Sequence, residues 1–160
     1  MQNNRKVYRM LNTITSDLTQ LKQGVILHQV NCQNAMGAGV AKALYTKWQT
    51  VKSSYHDVAR HTSPEERFGN MQSVLVAPRL MVINSFSQFT YGNAKRTGKI
   101  YTSEDILANN IRKASAYAAS YQMSLYIPDH VGCGLAGGNW DSLTAKISDI
   151  PNLVVVKKAS

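Results

Sequence analysis

Twice in this chain an apolar run of strand length ends in a glycine-rich turn that opens onto a helical pattern. The first instance is "GVILHQVN" at 24–31, then the turn "CQNAMGA" and the helical "GVAKALYTKW". The second is "SLYIPD" at 124–129, then "HVGCGLAGG" and "NWDSLTAKI". A continuous apolar run with a polar tail is how a strand buried on both faces reads. Strands alternating with helices build an α/β domain with a mixed, largely parallel sheet, and ligands in such domains sit beyond the carboxyl ends of the strands. Both glycine clusters, at 37–39 and 132–138, fall at that place. One Gly or Asn suffices for a turn. Four glycines in the seven residues 132–138 instead leave backbone N–H groups open to an anion, and a helix N-terminus adds positive potential.

The remaining pattern is consistent with that class. "KVYRMLNTIT" has strand composition and "SDLTQL" follows it; "TVKSSYHDVARH" is helical and "SPEERFG" interrupts. "MQSVLVA" and "LMVINSF" flank "PR" as a strand pair with a short turn. Residues 103–121 form the best helix, with Ser103 as cap, Glu104 and Asp105 favouring the helix dipole, and Leu107, Ile111, Ala114 and Ala118 as one apolar stripe. "LVVVKK" is a closing strand.

At 160 residues, 44% apolar and 17% charged, the chain reads as one globular domain over 1–160. No apolar stretch has the length of a membrane span, and the N-terminus lacks the apolar core of a signal peptide. Two cysteines, Cys32 and Cys133, exclude a secreted disulfide framework; a single bridge stays open, and free thiols in a reducing cytoplasm are the simpler reading. The net charge of +9 points to an anionic partner: nucleic acid, a nucleotide or a phosphorylated small molecule. Scattered Lys and Arg serving solubility are the bland explanation. The tightest basic run, "NAKRTGK" at 93–99, reads as a loop and is the expected place for a nucleic-acid contact.

Other phosphate chemistries fail on spacing. Gly132-x-Gly134-x-x-Gly137 matches a dinucleotide fingerprint, but the chain ends before a second βαβ half or the acidic residue it needs. A cysteine phosphatase loop from Cys133 would need Arg where Asn139 stands, and a Walker loop from Gly37 would need Gly where Lys42 stands. His28, His56, His61 and His130 show no paired ligand spacing, so neither a metal nor a cofactor is expected.

"SDL" at 16–18, "VNCQN" at 30–34, "MGAGVAKAL" at 36–44 and "IPDHVGCGLAGGNW" at 127–140 resemble the macrodomain family in order and spacing over residues 6–158. "HQVNCQ", "SFSQFTYG", "YTSEDIL" and "GCGLAGG" are similar to the short, stand-alone members that process ADP-ribose 1″-phosphate. The resemblance implies a three-layer αβα sandwich with ADP-ribose at the sheet crest, in a cytoplasmic, monomeric protein. Asp17, followed by Leu18, matches the family's adenine-binding Asp, although a cap or turn is its default reading without the match. Asn34 matches the Asn at the distal ribose, with Asn31 beside it. Gly37, Ala38, Gly39 and Val40 match the first phosphate-facing turn; Gly132, Cys133, Gly134, Leu135, Ala136 and Gly137 match the second. Ser85 and Gln88, at the end of the neighbouring strand, complete the expected contacts.

For hydrolysis of the 1″-phosphate, a positioned water and one acid or base suffice. The candidates are His130, His28, Asp141, Asp129 and Asn34, with His28 also readable as packing and Asp141 as a helix-dipole residue. Lysine-dependent ADP-ribosyl hydrolases of this family carry Lys where this chain has Ser87-Gln88 and Asp where it has Ala136. Near relatives read "GGDW" where this chain has Asn139 in "GGNW". The alternatives are therefore a binding-only module for ADP-ribose or an NAD-derived signal, and an ADP-ribosyl hydrolase acting on modified protein or nucleic acid.

Overall fold

The computed structural model describes residues 11–160. The N-terminal segment read for a signal peptide and the start of the first expected strand lie, up to Met10, outside the described residues.

Six strands form one sheet: β1 (Asn12–Thr15), β2 (Gly24–Asn31), β3 (Met71–Ala77), β4 (Leu80–Gln88), β5 (Leu125–Pro128) and β6 (Leu153–Lys157). Their order across the sheet is β1-β6-β5-β2-β4-β3. Every neighbouring pair is parallel except β3 and β4, which form the antiparallel hairpin around Pro78-Arg79. The sheet is thus mixed and largely parallel, as the alternating pattern predicts.

The helices are α1 (Gly39–Lys47), α2 (Thr50–His61), α3 (Pro64–Arg67), α4 (Ala94–Thr97), α5 (Glu104–Ser120) and α6 (Trp140–Ile147). Side-chain alternation along β2 divides the core. Ile26 and Val30 point to one face, where Leu44 of α1 and Val51 and Tyr55 of α2 cover them. Val25 and Leu27 point to the other, under Leu107, Ile111, Ala114 and Ala118 of α5 and Leu143 and Ile147 of α6. Helices on both faces of one sheet make the three-layer αβα sandwich. No helix among the described residues is long and apolar enough to cross a membrane.

Two segments depart from expectation. "SPEERFG" holds the one-turn α3, because Ser63 and Glu66 form a reciprocal capping box and Pro64 has the φ a first helical turn requires. "NAKRTGK" is not wholly loop either: Asn93 caps α4 by accepting from the Lys95 amide, and Gly98 ends it in the left-handed region.

Candidate functional site

Because β1, β6, β5, β2 and β4 run parallel, their carboxyl ends share one edge of the sheet. A cleft of about 920 Å³ opens there, between the glycine turn after β2, the glycine turn after β5, the end of β4 and one side of α2.

The two turns present bare backbone to this cleft. Ala38 occupies the cap position of α1 and supplies no side-chain acceptor, whereas Ser63, Asn93, Ser103 and Asn139 cap α3, α4, α5 and α6. Among the described residues, the N–H groups of Gly37, Ala38, Gly134, Leu135 and Ala136 have no acceptor. The glycines divide into two kinds. A Cβ at Gly37, Gly39 or Gly134 would meet no atom within 4 Å, so these positions stay open toward the solvent-filled space. A Cβ at Gly137 would collide with the Ala94 methyl, so that glycine serves packing.

Each turn is fastened from beneath. In the first, the Asn31 side chain bends into its own loop, accepting from Gln33 N at 2.9 Å and donating to Ala35 O at 2.7 Å. The Tyr55 hydroxyl accepts from Ala35 N at 3.0 Å and donates to Asn31 O at 2.9 Å. Buried Arg67 donates to the Cys32 carbonyl at 2.7 Å. Asn34 sits in the left-handed region at φ 57°, and its side-chain oxygen is held by Nδ1 of His56. Burial, Lys52 and Arg60 hold the His56 imidazole below the ordinary histidine pKa. In the second turn, Gln29 accepts from Ser87 at 2.8 Å and donates to Thr102 Oγ1 at 2.8 Å, and Thr102 donates to Gly132 O at 2.5 Å.

Two further imidazoles line the cleft. His130 is the other non-glycine wall residue in the left-handed region, at φ 58°. Its Nδ1 lies 2.9 Å from Asp129 Oδ1, and its ring stacks on Trp140 with centroids 5.1 Å apart. His28 is buried in β2, with Nε2 2.6 Å from Asn84 Oδ1. Asn84 donates to Gln72 Oε1 at 3.1 Å, which fixes its oxygen toward His28 and therefore the proton on Nε2. Nδ1 of His28 has no partner among the described residues, and burial pushes its pKa down to about 4.

Of the residues expected from sequence, His28, Asn31, Asn34, Gly37, Ala38, Gly39, Val40, Gln88, Asp129, His130, Gly132, Gly134, Leu135 and Ala136 line this one cleft. The others stand apart from its lining. Asp17 lies further along the same sheet edge, where Oδ1 accepts from the Thr19 amide at 2.9 Å and hydroxyl at 2.8 Å; those bonds lower its pKa. Leu18 opens the 3-10 turn Leu18–Gln20 and packs against the core beneath α1. Ser85 is buried under α5, bonded to Ser87 and Asn110. The Cys133 thiol donates to Val131 O at 3.3 Å, and Gly137 packs on Ala94. Asp141 occupies the first turn of α6, and Asn139 is that helix's cap, accepting from Ser142 N at 3.0 Å.

Lys52 and His56, which also line the cleft, escaped the sequence reading. Their signal was the i, i+4 spacing of Lys52, His56 and Arg60 on the helix that follows the first glycine turn. No group of three or more His, Cys, Asp or Glu residues placed to hold a metal ion occurs among the described residues.

No protein-family model matches the chain, and no curated protein is similar to it in sequence. Solved structures are similar in fold. A Bacteroides thetaiotaomicron protein of unknown function is 25% identical with a TM-score of 0.81, over 94% of this chain and 98% of that one. A macrodomain protein from Streptomyces coelicolor is 22% identical with a TM-score of 0.73, over 94% of this chain and 100% of that one. Thermosipho africanus DarTG, solved in complex with ADP-ribose, is 16% identical with a TM-score of 0.68, over 98% of this chain and 44% of that one. The fold is that of a macrodomain.

Proposed function

We propose that this macrodomain-fold chain binds ADP-ribose derivatives in the cleft and hydrolyses the phosphomonoester of ADP-ribose 1″-phosphate. The observation that carries the reading is the pair of backbone turns that line one cleft, in which the N–H groups of Gly37, Ala38, Gly134, Leu135 and Ala136 have no acceptor among the described residues. Two anion-binding turns on one cleft suit a pyrophosphate with a sugar at each side. The Thermosipho africanus protein of the same fold was solved with ADP-ribose, which supports the ligand class.

In this reading the adenine lies toward Asp17. Both Thr19 bonds fall on Oδ1, so Oδ2 is left to accept from the 6-amino group. Guanine presents an acceptor at that position, a mismatch of about 1–3 kcal/mol. At the other end, His56 occupies the Asn34 oxygen and leaves the Asn34 amide nitrogen to donate to the terminal ribose.

For hydrolysis, water attacks the phosphorus, the bond from phosphorus to the C1″ oxygen breaks, and the proton lost by the water ends on that oxygen. The products are ADP-ribose and inorganic phosphate. His130 is the base of choice: its Nδ1 lies 2.9 Å from Asp129 Oδ1 and its ring stacks on Trp140 beside the second glycine turn. His28 is excluded from that role by its burial: its unpartnered Nδ1 is sealed inside the core.

One observation favours the binding-only reading. Asp129 is the only carboxylate among the described residues lining the cleft, and it is engaged by His130. A titration with ADP-ribose 1″-phosphate that follows binding and phosphate release together, with ADP-ribose as control ligand, separates the readings. Binding with release is expected. Binding without release makes the chain a reader or sponge, and no binding of either ligand overturns both.

A further inference from the structure

Lys52 and His56 stand where two hollows meet. One is the cleft; the other is a groove of about 580 Å³ along the outer face of α2, which Gln49, Asp57 and Arg60 also line. Spacing by four places Lys52, His56 and Arg60 in one row leading outward from the cleft. Arg60 lies 3.8 Å from Asp57 with both side chains largely exposed, an ion pair that water screens. Lys52 has no carboxylate at ion-pair distance among the described residues. Its ammonium rests 4.4 Å from the Tyr45 ring centroid, a contact that holds the cation in place without neutralising it. His56 adjoins it, with Nδ1 committed to Asn34, and burial together with Lys52 and Arg60 holds its pKa below the ordinary histidine value. The groove therefore begins beside Asn34, and the first group in it is a fixed, uncompensated cation.

We propose that this groove receives the anionic group borne by the terminal ribose, with Lys52 as its counter-charge and so the residue that distinguishes 1″-phosphorylated ADP-ribose from ADP-ribose. The inference rests on the function proposed above and adds to it the residue that sets the substrate class. A phosphate there meets the Lys52 ammonium first and Arg60 at longer range. Asp57 is the one opposing charge in the groove, and Arg60 partly offsets it.

The test is the ratio of affinities for ADP-ribose 1″-phosphate and ADP-ribose, read by rapid-mixing fluorescence before turnover. The wild-type ratio is expected to be at least about tenfold in favour of the phosphorylated ligand at low salt. Lys52→Met keeps an aliphatic stem on Tyr45 and removes the charge, and should bring the ratio near one. Lys52→Arg should restore most of it. A thermal melt matching wild type checks that both variants fold. A wild-type ratio near one, or an unchanged ratio in Lys52→Met, overturns the inference while the cleft stands as an ADP-ribose site. Wild-type protein that binds neither ligand overturns both.

Discussion

At the scale of single residues, the open and the packed glycines predict opposite outcomes for the same substitution. Gly134→Val adds a Cβ that has no protein atom within 4 Å, and its side chain covers the free N–H groups around it. Its melting temperature should stay close to wild type, while affinity for ADP-ribose falls at least about a hundredfold, the loss of two charge-assisted hydrogen bonds. Gly137→Val puts a side chain at φ 78° against Ala94 and should lower stability directly. Calorimetry and a thermal melt on both variants distinguish the two roles. His28 predicts an acid limit to stability. Its pKa is 6.5 when unperturbed and about 4 in the folded chain, so below 6.5 the unfolded state takes up a proton that the folded state refuses. Stability from this residue is complete above 6.5 and is lost as pH falls toward 4, by on the order of 3 kcal/mol. Urea unfolding at about pH 7 and about pH 4.5 should show a smaller difference for His28→Gln than for wild type. An equal difference would place the acid sensitivity elsewhere.

Among the elements, α3 shows how a single helical turn controls the site. Its last residue, Arg67, is buried and donates to the Cys32 carbonyl where the first glycine turn begins, and to Thr62 O at 2.5 Å. Arg67→Met leaves the Cys32 carbonyl without that donor. It should cost about 2 kcal/mol in urea unfolding and weaken ADP-ribose binding as well, because the turn loses its anchor. Loss of stability with unchanged affinity would show that the turn is set by Asn31 and Tyr55 alone. The pattern of α3 was present in the sequence as Ser63-Pro64-x-Glu66, but four residues are too few to show a helical period. The longer elements were legible because their periods were. The apolar run of β2 and the stripe through Leu107, Ile111, Ala114 and Ala118 coincide with their observed elements. The cleft was legible where the two glycine turns build it, and through Asn31, Asn34, Gln88, Asp129 and His130 beside them. Glycine turns advertise themselves, whereas Lys52 and His56 reach the cleft from a helix whose facing depends on how the chain crosses the sheet. Asp141 and Asn139 belong to the same motif as Gly134 but fall on the start of α6, where capping and the helix dipole account for both.

For the whole molecule, the charge of +9 and the anionic ligand proposed here predict association kinetics that depend on salt. The association rate for ADP-ribose, measured by stopped flow, should fall several-fold between about 20 mM and about 500 mM salt, with the dissociation rate changing less. A rate independent of salt would mean that the basic surface is turned away from the cleft. The sheet order has a separate consequence. Among the described residues β1 pairs only with β6, Asn12 opposite Val154 and Thr15 opposite Lys157, so the first described strand lies against the last. A chain emerging from a ribosome can assemble β2, β4 and β3 early, but β1 has no neighbour until β6 has been synthesised. Every side chain of β1 is exposed, so little burial holds it in place beforehand. Closing so long a loop for so few contacts is slow. The sheet edge that carries Asp17, proposed above as the adenine contact, is thus the last to form during biosynthesis.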